Sequence, residues 1–239
     1  MRGTSITLPT ILTSVYRVIG FRRGLRAAAE YVRSAPGTYV WLLILFLTTV
    51  ALHHMSPDFE EDFLRQRSTN IHELSQNPVR VLITSAMWID SGHWLPYAFL
   101  YTVFHAQAER WLGTLRWLAV CAAAHVFATL ISELALLKAI HDGHAPHSAV
   151  NTLDIGVSYA LAGVVAVLAY RIAAPWRYPY LAALFAFYTV PLVAGRTFTD
   201  FGHFLSVLIG LACYPLVRSR GKAWNPKETL AALWVNVRA

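Results

Sequence analysis

The sequence predicts an all-α polytopic membrane protein, a bundle of six transmembrane helices with both chain ends on the cytoplasmic side. Three observations carry that prediction. Hydrophobic residues fill 56% of the 239 positions and charged residues only 14%, against about 25% charged in an ordinary soluble domain, so much of the surface faces something other than water. The apolar residues gather into six blocks, roughly 37–55, 94–112, 114–137, 155–171, 178–195 and 201–217. At about 1.5 Å per residue, some 20 residues cross a hydrocarbon core of about 30 Å. Finally, the charges are sorted. With the N-terminus inside, fifteen of the twenty basic residues fall on the cytoplasmic side, and Arg65, Arg67, Arg80, Lys138 and Arg196 fall outside. Of the thirteen acidic residues only Glu30, Glu109 and Glu228 fall inside. The opposite orientation would invert this positive-inside bias.

The net charge of +7 would suggest nucleic acid on a soluble chain. Here the basic residues flank apolar blocks, so the expected partner is the lipid bilayer and no nucleic acid is expected. The charge pattern fits a plasma membrane of the bacterial kind.

Residues 1–36 form a basic cytoplasmic segment, with Arg17, Arg22, Arg23, Arg26 and Arg33. No small-residue cleavage pattern follows the first apolar block, so that span is read as retained. Residues 37–217 form the membrane domain. Within it, 56–93 is too long for a plain connection. A polar helix-like stretch from Asp58 to Ser75 precedes apolar periodicity at Val79, Leu82, Ile83, Met87 and Trp88. This reads as a structured external insertion dipping into the interface. Blocks 155–171 and 201–217 are short, which is tolerable for central helices shielded by longer neighbours. Residues 218–239 are a basic cytoplasmic tail with a short helix after Pro226. Trp41, Trp94, Trp111, Trp117 and Trp176 lie where interfacial aromatic belts are expected.

Cys121 and Cys213 sit in apolar stretches and read as small buried hydrophobes; no metal signature accompanies them. His141, His144 and His147 recur at every third position and could bind a transition metal, although a solvated polar loop is the favoured reading. His105 and His125 read as packing or hydrogen-bonding residues, and no cofactor is expected. Glu133 in the third span motivates a rival class, a small transporter, which ranks last because few charges lie in the spans.

Polar side chains inside a membrane are costly and need a reason. Ser158 opens the fourth span in Gly156-Val157-Ser158-Tyr159, and His203 opens the sixth in Gly202-His203-Phe204. Both spans enter from outside, so they run parallel and the two side chains lie at matching depth. Gly156 and Gly163 on one helix and Gly210 on the other allow close approach. A histidine within hydrogen-bond reach of a serine can act as its general base. No carboxylate is placed at that depth to orient the histidine, so the pair would be a dyad.

These features resemble the rhomboid family of intramembrane serine proteases over about residues 78–217. The resemblance rests on Arg80 in the first external loop, His93 at the top of the second span and Glu109-Arg110-Trp111-Leu112-Gly113 at its base. It continues with the Gly-x-Ser motif at Gly156–Ser158, and with His203 followed by Gly210. It implies a six-helix rhomboid-like bundle that cleaves transmembrane protein substrates, with Ser158 as nucleophile and His203 as general base. It implies further that the Ser158 N–H and the His93 side chain stabilise the oxyanion, with Tyr97, Gly156 and Tyr159 around the substrate. Arg80, Glu109, Gly113, Gly163 and Gly210 would be structural. The fifth span, with Tyr178, Tyr180, Phe185, Phe187 and Tyr188, would be the lateral gate. The chain departs from the family pattern at four places. Tyr159 replaces the glycine after the serine, Tyr97 replaces an asparagine, Ser206 replaces a glycine, and Ala162 replaces an aromatic one turn below the serine. These departures motivate an alternative: an inactive pseudoprotease that binds transmembrane clients.

Overall fold

A computed structural model describes residues 22, 24–90, 92–195, 197–221 and 223–238. Arg2, Arg17, Arg23, Arg196 and Lys222, part of the charge pattern above, lie outside the described residues. Within them the chain is helical, and the only strand-like pairing is a parallel bridge between Ile172 and Trp224. α1 (Gly24–Arg33) meets α2 (Pro36–Leu52) at 92°. α3 (Pro57–Arg65), α4 (Ile71–Gln76) and α5 (Pro78–Thr84) follow, and the turn Ser85–Met87 extends α5 as a 3₁₀ helix. Proline in the first turn starts α2, α3 and α5, where its missing N–H costs nothing. The 56–93 segment is thus built of short helices. It is tied down by hydrogen bonds from the Trp41 indole to the Ala86 carbonyl (2.8 Å) and from the Thr48 hydroxyl to the Met87 carbonyl (2.9 Å).

α6 (Trp94–Leu100) runs through a π-helical turn, Tyr101–His105, into α7 (Ala106–Leu112). Gly113, at φ +83°, reverses the chain into α8 (Thr114–His141). Then come α9 (Val157–Val167) with a 3₁₀ extension Leu168–Arg171, α10 (Arg177–Ala194), α11 (Phe198–Ala212), α12 (Tyr214–Val217) and α13 (Pro226–Arg238).

The six apolar blocks do not return as six unbroken long rods. Among the described residues α8 alone is long and apolar enough to cross a membrane by itself, with the bent α1–α2 pair as a second candidate. The π-helical turn divides the second block, the fourth tightens into 3₁₀ geometry after Val167, and the sixth ends at Cys213 before Pro215. α8, at 28 residues, is roughly 42 Å long.

α8, α9 and α11 pack most closely on one another. α9 is buried on nearly every side, through Val157, Tyr159, Ala160, Ala162, Gly163, Val164, Ala166 and Val167, as its apolar circumference requires. It crosses α11 at Gly163 and Gly210: a Cβ on Gly210 would stand 2.8 Å from the Gly163 Cα. Outward, α2 presents Val40, Leu43 and Leu47, α8 presents Leu115, Phe127 and Leu134, and α10 presents Phe187, Val190 and Val193, all exposed. Apolar outer faces of this extent suit a hydrocarbon surrounding. α10 is the loosest member of the bundle. Leu184 is its one buried residue, and Pro191 interrupts its hydrogen-bond ladder near the end.

Candidate active site

Ser158 is the second residue of α9, after the N-cap Gly156. His203 is placed by α11, which starts at Phe198, three residues before the apolar block does. A capping box sets that start: the Thr197 hydroxyl accepts from the Asp200 N–H, while the Asp200 carboxylate accepts from the Thr197 N–H and hydroxyl. The result brings His203 Nε2 to 2.8 Å from Ser158 Oγ. The Thr199 backbone, one turn earlier on α11, lies beside the imidazole.

Two aromatic rings hold the imidazole. Tyr159 stands edge-on to it at 4.9 Å between centroids, and Tyr188 of α10 lies at 6.0 Å. Tyr159 is fully buried and points behind His203, so its ring is absent from the walls of the cavity in front of Ser158. Gly202 makes room for it, because a Cβ there would come within 2.6 Å of the Tyr159 Cζ. Ala162, one turn below the serine, is also buried; the rings that pack on His203 come from Tyr159 and Tyr188 instead.

In front of the pair opens a cavity of about 540 Å³ between α6 and α10. Ser158, His203 and Asp200 supply its polar side chains together with Tyr97, Tyr180 and Tyr188, and its walls are otherwise apolar, including Leu100, Phe104, Leu161 and Phe187. One side is therefore formed by the loosely packed α10. As the second residue of its helix, Ser158 has an N–H with no intrahelical acceptor, and this N–H lies at the positive end of the α9 dipole.

The other residues singled out in the sequence are distributed as follows. Tyr97 lines the cavity, whereas His93, the N-cap of α6, is exposed and does not line it. Gly156 faces α8, flush against the His125 ring, with which any Cβ would collide. His125 bonds the Leu82 carbonyl through Nε2 (2.8 Å). Glu109 is buried and accepts four hydrogen bonds, from the N–H groups of Gly37 (2.9 Å) and Thr38 (2.7 Å) and from the hydroxyls of Thr38 and Thr114 (2.8 Å each). It thereby satisfies the open N-terminus of α2. Arg80 pairs with Glu73 at 2.9 Å on the surface. Gly163 and Gly210 meet at the α9–α11 crossing. His105 is fully buried, stacked on Tyr101 at 3.9 Å, and its Nδ1 accepts from the Trp117 indole. His141, His144 and His147 are exposed, and no metal-holding group of three or more such side chains occurs among the described residues.

Sequence patterns did not disclose the pairing of Tyr159 with Gly202 or of Gly156 with His125. Each joins residues far apart in the chain, and only the register of α8, α9 and α11 brings them together. The capping box was available as a signal, since Thr197-x-x-Asp200 precedes an apolar run.

A helical bundle with outward apolar faces and a hydrogen-bonded serine–histidine pair on its central helices defines the class: an integral membrane protein with a polar pair at its centre. The family model of rhomboid-like proteins matches residues 30–223, and the chain belongs to that family. No curated protein and no solved structure matches it.

Proposed function

We propose that the protein is an intramembrane serine endopeptidase that cleaves transmembrane segments, with six spans over 37–217, an external loop at 56–93 and cytoplasmic segments at 1–36 and 218–239. The sorted basic residues support this topology, and a plasma membrane of the bacterial kind. The observation that carries the function is the 2.8 Å contact between His203 Nε2 and Ser158 Oγ at the wall of an apolar cavity. Ser158 Oγ attacks the scissile carbonyl as its proton passes to Nε2. The oxyanion forms beside the Ser158 N–H and the Tyr97 hydroxyl. His203 returns the proton to the leaving amine as the C–N bond breaks, and water then frees the acyl-enzyme by the same base. Substrate enters between α6 and α10.

A second reading is a pseudoprotease that holds transmembrane clients in the same cavity. The exposed position of His93, outside the cavity lining, favours it, because one of the family's oxyanion donors is then missing. Labelling of purified protein by a fluorophosphonate separates the two. The protease reading expects labelling that vanishes in Ser158→Ala and His203→Ala; a folded wild type that stays unlabelled supports the pseudoprotease.

A further inference from the structure

We propose that the end of the bundle opposite the Ser158–His203 pair binds one anionic glycerophospholipid. Its phosphate lies between Arg110 and Arg171, and an acyl chain follows the seam between α7 and α10. A second cavity, of about 560 Å³, opens there. One end is apolar, with Val103, Phe104 and Leu168, and the other carries the two guanidinium groups. A ligand that fills it must be a chain at one end and an anion at the other.

The arginines are placed and uncompensated. Arg171 Nη1 donates to the Gln107 carbonyl (2.9 Å) and side-chain oxygen (3.2 Å), which fixes the fork. The Arg110 guanidinium lies 4.5 Å over the Tyr31 ring. Neither forms an ion pair among the described residues, and the neighbouring Glu109 is committed to the N-terminus of α2. Two like charges sharing one cavity are relieved by an anion between them, and paired arginines suit a phosphate in particular. Trp224 closes the wall. Its N–H donates to the Arg171 carbonyl (2.6 Å) and its carbonyl accepts from the Ala173 N–H (2.9 Å), so the chain after α12 returns to brace this loop. An indole beside arginines at a helix end is the composition of a membrane interface, and basic pockets between membrane helices suit anionic headgroups. Phe104 and Tyr180 line this cavity and the one in front of Ser158, so the lipid borders the proposed substrate entrance. The inference rests on membership of a membrane family and not on the protease reading.

The test is native mass spectrometry on delipidated full-length protein titrated with dioleoyl phosphatidylglycerol, dioleoyl phosphatidylcholine or soluble glycerol 3-phosphate. One phosphatidylglycerol should bind at least about tenfold more tightly than phosphatidylcholine, the factor that about 1.4 kcal/mol of charge pairing supplies. Arg110→Gln and Arg171→Gln should each abolish that preference. Arg171→Lys, which keeps the charge, should retain most of it, and Arg218→Gln, an exposed arginine at the same end, should leave it intact. Equal binding of the two lipids overturns the proposal. So does an equal loss in Arg218→Gln, which would mean diffuse surface charge, or displacement of the lipid by glycerol 3-phosphate, which would mean a free-phosphate site.

Discussion

The Tyr159 ring stands edge-on to the His203 imidazole at 4.9 Å and 77°, over a residue, Gly202, that has no side chain to obstruct it. The three positions form one unit: the ring behind the base is possible only while residue 202 lacks a Cβ. Gly202→Ala should therefore displace Tyr159 and with it His203; if the pair is catalytic, fluorophosphonate labelling of Ser158 should fall by more than about tenfold, since even small misplacement of reacting groups is costly. Adding Tyr159→Ala to Gly202→Ala should relieve the collision, so that the two changes are strongly non-additive in thermal stability. Additive losses would mean that the ring and the glycine act independently.

The cavity makes an unequal prediction for the two side chains at the start of α6. Tyr97 faces the Ser158–His203 pair, and His93 is exposed beyond it. If the Tyr97 hydroxyl binds the oxyanion, Tyr97→Phe should reduce kcat on a transmembrane substrate by about 10²-fold with KM little changed, the usual cost of one such donor. His93→Ala should stay within about twofold of wild type. The reverse order would show that the first turn of α6 moves inward when substrate binds.

Much of this arrangement was readable in the chain because it depends on local chemistry. Helical spans follow from runs of apolar residues, and the matching depth of Ser158 and His203 follows from their positions near the starts of parallel helices. What could not be read depends on which helix faces meet. Gly156 looked like a partner of Gly163 and Gly210 at one crossing, yet it packs on His125 of α8, while Gly163 and Gly210 do meet. Tyr159 was expected around the substrate, yet the first turn of α9 aims it into the bundle. The span lengths were also obscured, because a π-helical turn at Tyr101–His105 and 3₁₀ geometry at Leu168–Arg171 leave no mark on the apolar pattern.

Glu109 sits where four donors converge from α2 and the start of α8. Glu109→Gln replaces an acceptor oxygen by a donor amide, so at least one of those contacts becomes donor against donor. With hydrogen bonds to charged groups contributing about 1.5–3 kcal/mol, the variant should lose roughly 3 kcal/mol of unfolding free energy in detergent. Thr114→Ala, which removes one of the four donors, should lose about 1.5 kcal/mol. A stable Glu109→Gln would mean that packing at Gly37 and Trp117, rather than the carboxylate, fixes the start of α2.

Asp154 joins the 56–93 segment to the start of α9. Its N–H donates to the Ser68 hydroxyl (2.7 Å), and its carbonyl accepts from the Thr69 N–H (3.0 Å). Burial pushes its carboxyl up to about 6, from the usual 3.8. The Thr69 hydroxyl and the nearby Tyr159 hydroxyl offset part of that rise, and the Asp90 charge adds to it. Because the folded value lies above the unfolded one, the folded state binds the extra proton between the two. The associated stability is fully present below about pH 4 and is lost as pH rises through about 6. The rise from 3.8 to about 6 corresponds to roughly 3 kcal/mol. Unfolding at pH 4.5 and pH 8 should therefore show this region held more firmly at the lower pH. In Asp154→Asn, which keeps the shape and cannot ionise, the Asp154 part of that difference should disappear and the protein should be more stable than wild type at pH 8. An unchanged pH profile in Asp154→Asn would place the titration on another group.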